Sequence, residues 1–392
     1  MPNSRQTRNS SVGTHLENLN KLVEQKDLTA KGRDYLVQAL DPFHDWTFEA
    51  VGLPDASGQR SVIVAVNQSM SVDCGNLAEH EDVHIVTLPI LKTETFQNVT
   101  VEGITIDDSA GELFGPLGTL TAVRVASGNP TFPTGTGGPV SSTAVSLQSL
   151  DFADYSVNSA LRVVSMGYEV HNTSPEVVKS GSVIVYRNPQ NRNLTAARDP
   201  LGVPTDTPRQ VWRTRLPPGD ARTALAYPGS HQWEAYDGNY NVAVIHGDEQ
   251  AHLRDYNDMV MMAEDTLGPG NDVVGLMARR EVFPQGRLWP VIDVGGAYYQ
   301  GLTQGTTLTI TLKTFLEIFP TGQDGVIQLL AQPSPPHDQR ALDLYARAIS
   351  RLPPGCKVGD NAGGDWWRTV SNVVSAIAPK TGAAMHVAGS TG

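Results

Sequence analysis

The sequence predicts an all-β fold, an antiparallel jelly-roll sandwich or a related sandwich, with flanking N- and C-terminal helices. Segments rich in β-branched residues recur through the middle of the chain, whereas helical periodicity is confined to its two ends. The 392 residues include 37 Gly and 26 Pro, which is typical of many short strands joined by turns. The predicted strands are 60–72, 82–91, 98–106, 119–127, 159–174, 182–188, 239–246, 272–282, 289–301 and 306–320.

The composition argues against several classes of protein. The net charge of −12 argues against a surface that binds nucleic acid over the whole protein, because phosphate contacts need clustered Lys and Arg. The two cysteines, Cys74 and Cys356, have no partner motif, which argues against a disulfide scaffold or a zinc site and predicts a reducing compartment. Residues 1–20 lack the apolar segment of a signal peptide, and no apolar run is long enough to span a bilayer.

The N-terminal region predicts a polar, disordered tail followed by helix. Residues 1–15 are rich in Ser, Asn and Arg, whereas 14–40 has apolar residues at helical spacing. Thr29 is placed to cap the second part of this helix, and Pro42 ends it.

The middle of the chain predicts a hairpin, followed by one long connecting segment. The segments 159–174 and 182–188 flank a turn, "PEVVKSG", and should pair. Residues 189–240 contain many Pro, Gly and polar residues and only short strand-like pieces such as "RQVWRTRL". Long connections carry recognition in many folds, so a surface protrusion and an irregular loop are equally favoured there.

The C-terminal region predicts two amphipathic helices. In the first, within 336–353, Leu342, Tyr345, Ile349 and Leu352 share a face. The second begins near Asp365 as its N-cap and ends before Pro379. Its apolar stripe consists of Trp366, Trp367, Val370, Val373, Val374 and Ile377.

Several stretches, taken in order, resemble the capsid proteins of nodaviruses and of the wider noda-like and tombus-like RNA viruses. They are "ALDPFHDW" (39–46), "ALRVVSMGYEVHNTSPEVVKSGSVIVYR" (160–187), "GGAYYQGLTQGTTLTITLKTFLEIFP" (295–320) and "DNAGGDWWRTV" (360–370). The resemblance covers roughly 30–380 and depends on the order of these motifs, since no single one is decisive.

The resemblance implies a structural capsid protein that assembles in many copies into an icosahedral shell around single-stranded viral RNA. It implies a location in the virion, with assembly in the host cytoplasm, and leaves the host receptor unknown. The expected organisation is a tail and inner-surface helical arm (1–40), a jelly-roll shell domain (41–335), and a C-terminal helix with an amphipathic tail (336–392).

The resemblance also implies a single self-cleavage after an Asn near the C-terminus. Asn361–Ala362 is the matching bond, and an Asn side-chain amide can attack its own main-chain carbonyl when a buried acid moves the protons. Asp45, beside Trp46, is the closer match to the family's acid, and Asp41 is the alternative. The structural alternative, which is favoured, is that Asp41 turns the chain and Asp45 binds local backbone donors.

The tail helix has two alternative roles, which different stages of an infection could each use. One is permanent docking on the inner face of the shell, and the other is release after cleavage to disrupt membranes. Its polar face carries few charges, which is weak for a membrane-active peptide and favours docking.

The sequence departs from the family at its N-terminus, where the arginine-rich arm is missing. Residues 1–40 hold six basic and four acidic residues, so neutralisation of RNA by this arm is weak. No cofactor is predicted. Structural calcium is an alternative, although solvated acidic loops are favoured because no EF-hand loop supplies the roughly six to eight oxygens that calcium takes. The two candidate acidic groups are Asp73, Glu79, Glu81 and Asp82, and Asp255 and Asp258.

Two other classes of function stay open. A carbohydrate- or receptor-binding jelly-roll module that does not assemble would have the same strand content, and sedimentation as a small oligomer would distinguish it from a capsid protein. A conventional turnover enzyme ranks last because the sequence shows no catalytic constellation.

Overall fold

The computed structural model describes eighteen strands, six α-helices and two short 3₁₀ helices, in seventeen segments of two or more residues and at isolated residue 218. The described residues are 28–44, 49–55, 58–74, 81–87, 100–101, 104–105, 120–126, 146–150, 160–188, 195–196, 210–214, 218, 220–245, 260–264, 275–279, 294–320, 325–362 and 365–377.

The strands are numbered in chain order. They are β1 (Arg60–Cys74), β2 (Glu81–Thr87), β3 (Thr100–Val101), β4 (Ile104–Thr105), β5 (Leu120–Ala126), β6 (Ser146–Leu150), β7 (Ala160–Asn172), β8 (Ser182–Asn188), β9 (Thr195–Ala196), β10 (Gln210–Thr214), β11 (His231–Glu234), β12 (Asn239–Val242), β13 (Val260–Glu264), β14 (Gly275–Arg279), β15 (Val294–Leu302), β16 (Thr306–Phe319), β17 (Gln332–Pro333) and β18 (Gly355–Cys356).

Of the described α-helices, one precedes the strands, one lies between β10 and β11, and the other four follow β16, with β17 and β18 between them. They are α1 (Ala30–Leu40), α2 (Ala221–Leu225), α3 (Gly325–Leu330), α4 (Gln339–Ile349), α5 (Val358–Ala362) and α6 (Asp365–Ile377). The predicted cap of α1 is confirmed, because the Thr29 side-chain oxygen accepts a hydrogen bond from the Gly32 amide at 2.9 Å. The helix predicted within 336–353 is confirmed as α4.

Two six-stranded antiparallel sheets form the body of the protein. The first has the order β17-β1-β16-β7-β12-β18, and the second has the order β11-β8-β15-β2-β5-β6. Strands β7 and β8, which were predicted to form a hairpin around 175–181, do not pair with each other, because they lie in different sheets. That prediction was wrong because alternation gives the type of each strand but not its partner.

A separate four-stranded sheet has the order β13-β14-β10-β9. Its strands come from 195–214 and from 260–279, on either side of the segment that returns to the main sheets as β11 and β12. The segment 189–240 therefore supplies only part of this sheet, and its end pairs with the body of the protein through β11 and the start of β12. The single strand predicted over 98–106 is also corrected, because β3 and β4 pair with each other as a short antiparallel ladder.

The main core lies between the two six-stranded sheets. Residues of β16 alternate between buried and half-buried over its first eight positions, and Leu308, Ile310 and Leu312 point into this core. The last six positions of β16 are all buried because Phe315 contributes to a second cluster with the helices on the other face of the sheet. Helices α1, α4 and α6 form that outer layer.

A small aromatic cluster covers the far face of the second sheet. His84 is fully buried there, and its Nε2 lies 2.7 Å from the hydroxyl of Tyr186. The ring also packs against Tyr298, with centroids 5.1 Å apart. Burial lowers the pKa of His84 from its ordinary value to about 3, so this imidazole is neutral in the folded protein at physiological pH.

We expect His84→Gln to make the protein less sensitive to acid. Below about pH 6.5 the unfolded His84 binds a proton that the folded protein excludes until about pH 3, so acidification costs roughly 1 kcal/mol of unfolding free energy per pH unit. Urea unfolding at about pH 7 and about pH 4.5 measures this slope. His231→Gln, at an exposed histidine, is the control. A slope in His84→Gln equal to that of the unsubstituted protein would contradict the assignment.

Candidate functional site

Asn361 lies in the short helix α5, against the first sheet. Its side-chain nitrogen Nδ2 donates a hydrogen bond of 2.9 Å to Oε1 of Glu169 on β7. Two contacts position α5 near this strand. Lys357, just before the helix, forms an ion pair with Asp237 at 2.7 Å. Gly238 lets Val358 approach, because a Cβ at Gly238 would lie 3.1 Å from Val358 and 2.1 Å from a main-chain oxygen of β7.

Asp41 lies in the buried layer beneath the terminal helices and is 2 % exposed. Its Oδ1 accepts a hydrogen bond of 2.6 Å from the hydroxyl of Tyr240 on β12, and its Oδ2 lies 3.9 Å from Nδ1 of His44. Burial and then the Asp41 carboxylate raise the pKa of Tyr240 well above its ordinary value, so the tyrosine stays a proton donor in this pair.

Asp41 also has the structural role that the sequence indicated. It is the C-cap of α1: its amide donates to the Val37 carbonyl at 2.9 Å, and its own carbonyl accepts from the His44 amide at 3.0 Å. The preferred candidate, Asp45, lies outside the described residues, so the choice between the two acids stays as the sequence left it.

The thiol of Cys356 is affected by the negative charge of acidic residues from both terminal regions of the chain. Cys356 is on β18, opposite Tyr240 in the ladder. Its pKa is raised, chiefly by burial and then by negative charge. The acidic groups responsible are Asp360, Asp41, Glu169 and Asp365. Asp41 binds Tyr240, and Tyr240 lies opposite Glu169, so the fold brings Asp41 into the region that contains Asn361 and its partner Glu169. Ala362 is the last residue of α5.

Helix α6 packs onto the same layer with the apolar face that the sequence predicted. Trp366, Trp367, Val370 and Val374 are buried, and Val373 and Ile377 pack against the cluster from its margin. The indole nitrogen of Trp366 donates to the carbonyl oxygen of Leu40 at 3.1 Å, and its ring meets Tyr240 edge-on at 5.5 Å between centroids. His44 stacks on Trp367 at 5.1 Å. The tail helix thus contacts Leu40 and His44, which lie before and after Asp41 in the chain.

Sequence reasoning missed Glu169, Tyr240 and Cys356. Alternation along β7 places Glu169 on the face opposite Tyr168 and Val170, but it does not indicate that α5 covers that face. The contact joins residues 192 positions apart, and only the assembled fold creates it.

Two of the acidic residues considered for calcium, Asp73 and Asp82, accept hydrogen bonds from protein donors. Asp82 accepts hydrogen bonds of 2.9 Å from the Tyr298 hydroxyl and from the Gly301 amide. Asp73 accepts from the Thr307 hydroxyl at 2.9 Å, and Glu81 is buried. Within the described ranges no three His, Cys, Asp or Glu side chains converge as a metal site. Three of the candidate ligands lie outside those ranges, namely Glu79, Asp255 and Asp258.

None of the helices in the described part of the chain has the length and apolar character needed to cross a membrane.

Comparison with solved structures finds viral particles at low similarity. A chain of the T13 viral particle of infectious bursal disease virus is 10 % identical, with a TM-score of 0.46, over 93 % of this chain and 100 % of that one. The VP2 subviral particle of the same virus gives 9 % identity and a TM-score of 0.44, over 86 % and 99 %. The 60-mer BFDV capsid protein gives 10 % and 0.27, over 68 % and 98 %. These scores are too low to support a functional argument.

Comparison of the sequence is more informative. None of the curated proteins compared with the chain matches it. The model of the Peptidase A6 family matches residues 28–390, which is nearly the whole chain and includes Asp41, Glu169 and Asn361. The chain therefore belongs to the Peptidase A6 family.

Proposed function

We propose that the chain is a viral capsid protein whose copies assemble into an icosahedral shell. The observation that carries this proposal is the strand order of the two main sheets. Eight of the twelve strands in these sheets are β1, β2, β7, β8, β11, β12, β15 and β16, which are adjacent to one another within each sheet. Counted in that order, they lie as 1-8-3-6 in one sheet and 5-4-7-2 in the other, which supports a jelly roll, an architecture used by viral capsid domains.

The nodavirus-like assignment is a finer proposal and depends on the ordered motifs in the sequence. It adds single-stranded RNA as the enclosed partner, the virion as the location and the host cytoplasm as the site of assembly. The receptor stays unspecified, and no cofactor is required. The residues that precede Leu28 are outside the described chain, so the proposal places no RNA contact on them.

We further propose that the four-stranded sheet of β9, β10, β13 and β14 is a protrusion from the shell. Its strands come from the connection between β8 and β11 and from the connection between β12 and β15. Insertions between jelly-roll strands lie at the ends of the sandwich, where recognition surfaces can vary without disturbing the core. This revises the proposed protrusion from 189–240 to parts of 189–230 and 246–293.

Self-cleavage between Asn361 and Ala362 is the proposed chemistry of the C-terminal site. Membership of a peptidase family supports it, and so does the position of Asp41. Asp41 binds Tyr240, which lies opposite Glu169, the hydrogen-bond partner of Asn361. The side-chain nitrogen of Asn361 attacks its own main-chain carbonyl. In the reacting form Asp41 carries a proton taken up from solvent, and it passes this proton to the departing nitrogen of Ala362. Each chain reacts once, so the protein is not a turnover enzyme. Asp45 is the alternative acid.

The buried stripe of α6 supports a docked inner-shell helix before cleavage. In this proposal the same stripe contacts membrane only after Asn361–Ala362 is cut and the helix leaves the cluster that now covers its tryptophans.

The test is sedimentation of the expressed full chain, followed by intact-mass measurement of the fastest fraction. We expect a large particle in which the chain has become fragments 1–361 and 362–392. Asn361→Ala should form the same particle and keep its full-length mass. A small oligomer under all salt and calcium conditions would favour the binding-module alternative. Particles that keep a full-length mass would contradict self-cleavage and leave the capsid proposal standing.

A further inference from the structure

We propose that Glu169 is the proton acceptor of the cleavage reaction at Asn361. This inference depends on the proposed self-cleavage and names a second catalytic residue for it. Glu169 is the one described side chain seen to hold the attacking atom, because its Oε1 accepts a hydrogen bond from Nδ2 of Asn361 at 2.9 Å. An amide nitrogen is a poor nucleophile until it loses a proton, and a carboxylate at hydrogen-bond distance is suitably placed to take it.

The strand beneath Glu169 makes its position rigid. β7 is paired on both sides at this residue, with Thr311 of β16 and Tyr240 of β12. The Glu169 side chain is only 17 % exposed, so it has limited freedom to turn toward solvent. A base on a central strand is held more precisely than a base on a loop, and general-base catalysis needs that precision.

The second oxygen of Glu169 has a proton-carrying neighbour. Oε2 lies 3.3 Å from Nε2 of His171, whose ring is about half exposed. The hydrogen bond with Glu169 raises the pKa of His171 above its ordinary value. The three groups Asn361, Glu169 and His171 therefore form a path from the attacking nitrogen to solvent. Other ionisable groups in this region include Tyr240, which lies opposite Glu169 in the ladder, as well as Asp41, Cys356, Asp360 and Asp365.

The proposed step conserves atoms and charge. Nδ2 of Asn361 forms a bond to the main-chain carbonyl carbon of Asn361 and passes one proton to Glu169. The bond from that carbon to the nitrogen of Ala362 breaks, and the Ala362 nitrogen takes one proton from the acid proposed above. The products are a cyclic imide at residue 361 and a free amine at residue 362. Water then opens the imide, and Glu169 releases its proton through His171 to solvent.

The test compares the release of 362–392 from assembled particles of four chains, by intact mass over time. Glu169→Gln keeps the shape and can accept the hydrogen bond, but it cannot take a proton, so we expect release to slow on the order of 100-fold. Glu169→Leu loses both functions and should be at least as slow. Glu176→Gln, at a glutamate whose side chain is 89 % exposed, is the matched control and should cleave at the normal rate.

The outcomes separate this inference from the proposal beneath it. Normal release by Glu169→Gln, with the unsubstituted chain cleaving, would overturn the base role and leave self-cleavage intact. If only Glu169→Leu is slow, Glu169 orients the amide and takes no proton, which also overturns the inference. Full-length mass in the unsubstituted particle would instead contradict self-cleavage itself. If Glu169→Gln forms no particles, Glu169→Asp is tested in its place. Its shorter side chain withdraws the carboxylate from Nδ2 of Asn361, so a normal rate of peptide release in this variant would overturn the inference.

Discussion

Replacement of Arg162 by Met should lower the free energy of unfolding by about 3–5 kcal/mol. Arg162 is 4 % exposed, and its guanidinium donates to Oδ2 of Asp55 at 2.6 Å and to Oε2 of Glu317 at 2.7 Å. Glu317 is fully buried and also accepts from the Leu53 amide and the Ser61 hydroxyl. Removing the cation leaves two carboxylates in the interior without their counter-charge, and this desolvation penalty produces the loss.

The matched control is Lys31→Met, which breaks the exposed ion pair with Glu49. That pair is open to solvent on both sides, so its loss should cost less than about 1 kcal/mol. Urea unfolding of the purified full chain measures both changes. If the two substitutions lowered the free energy of unfolding equally, burial of Arg162 would not be the cause of its effect on stability.

Replacement of Trp366 by Ala should release helix α6 from the protein at a cost of about 3–5 kcal/mol. Trp366 is 1 % exposed, packs edge-on against Tyr240 and binds the carbonyl oxygen of Leu40. The substitution opens a cavity beneath the helix and leaves that carbonyl without its indole donor. We expect amide hydrogens of α6 to exchange much faster in the variant, while those of β16 keep their protection.

Arg368→Ala is the control on the same helix. The Arg368 side chain is 66 % exposed and contacts Asp365 one turn away, so its removal should change the stability of α6 by less than about 0.5 kcal/mol. Unchanged exchange of α6 in Trp366→Ala would contradict the view that this tryptophan anchors the tail.

The sequence was most informative where one pattern decides one element. Thr29 before an apolar helix predicted a cap. The buried face of α6 was predicted by helical spacing from Trp366 through Val370 and Val373 to Ile377, with Trp367 and Val374 beside this series. Strand partners were not predictable in the same way. The turn between 172 and 182 reads as a hairpin, yet its two strands belong to opposite sheets, because sheet assignment depends on packing across the core.

The candidate site shows the same division. Asn361 stood out through its own chemistry and its place before the tail helix. Glu169 did not, because a single acidic residue on the outer face of a strand is ordinary until another element covers it. The hydrogen bond to Asn361 exists only because Lys357, Asp237 and Gly238 hold α5 against β7 and β12.

The pairing of β1 has a consequence for synthesis of the protein on the ribosome. Both neighbours of β1, β16 and β17, lie more than 200 residues further along the chain, since Cys74 pairs with Thr306 and Arg60 with Pro333. At about 5–20 residues per second, β1 emerges about 10–50 s before its partners exist. During that interval both edges of β1 are open to pairing with other strands. Nascent chains on one messenger RNA therefore avoid pairing with each other only if chaperones bind them or if they meet slowly.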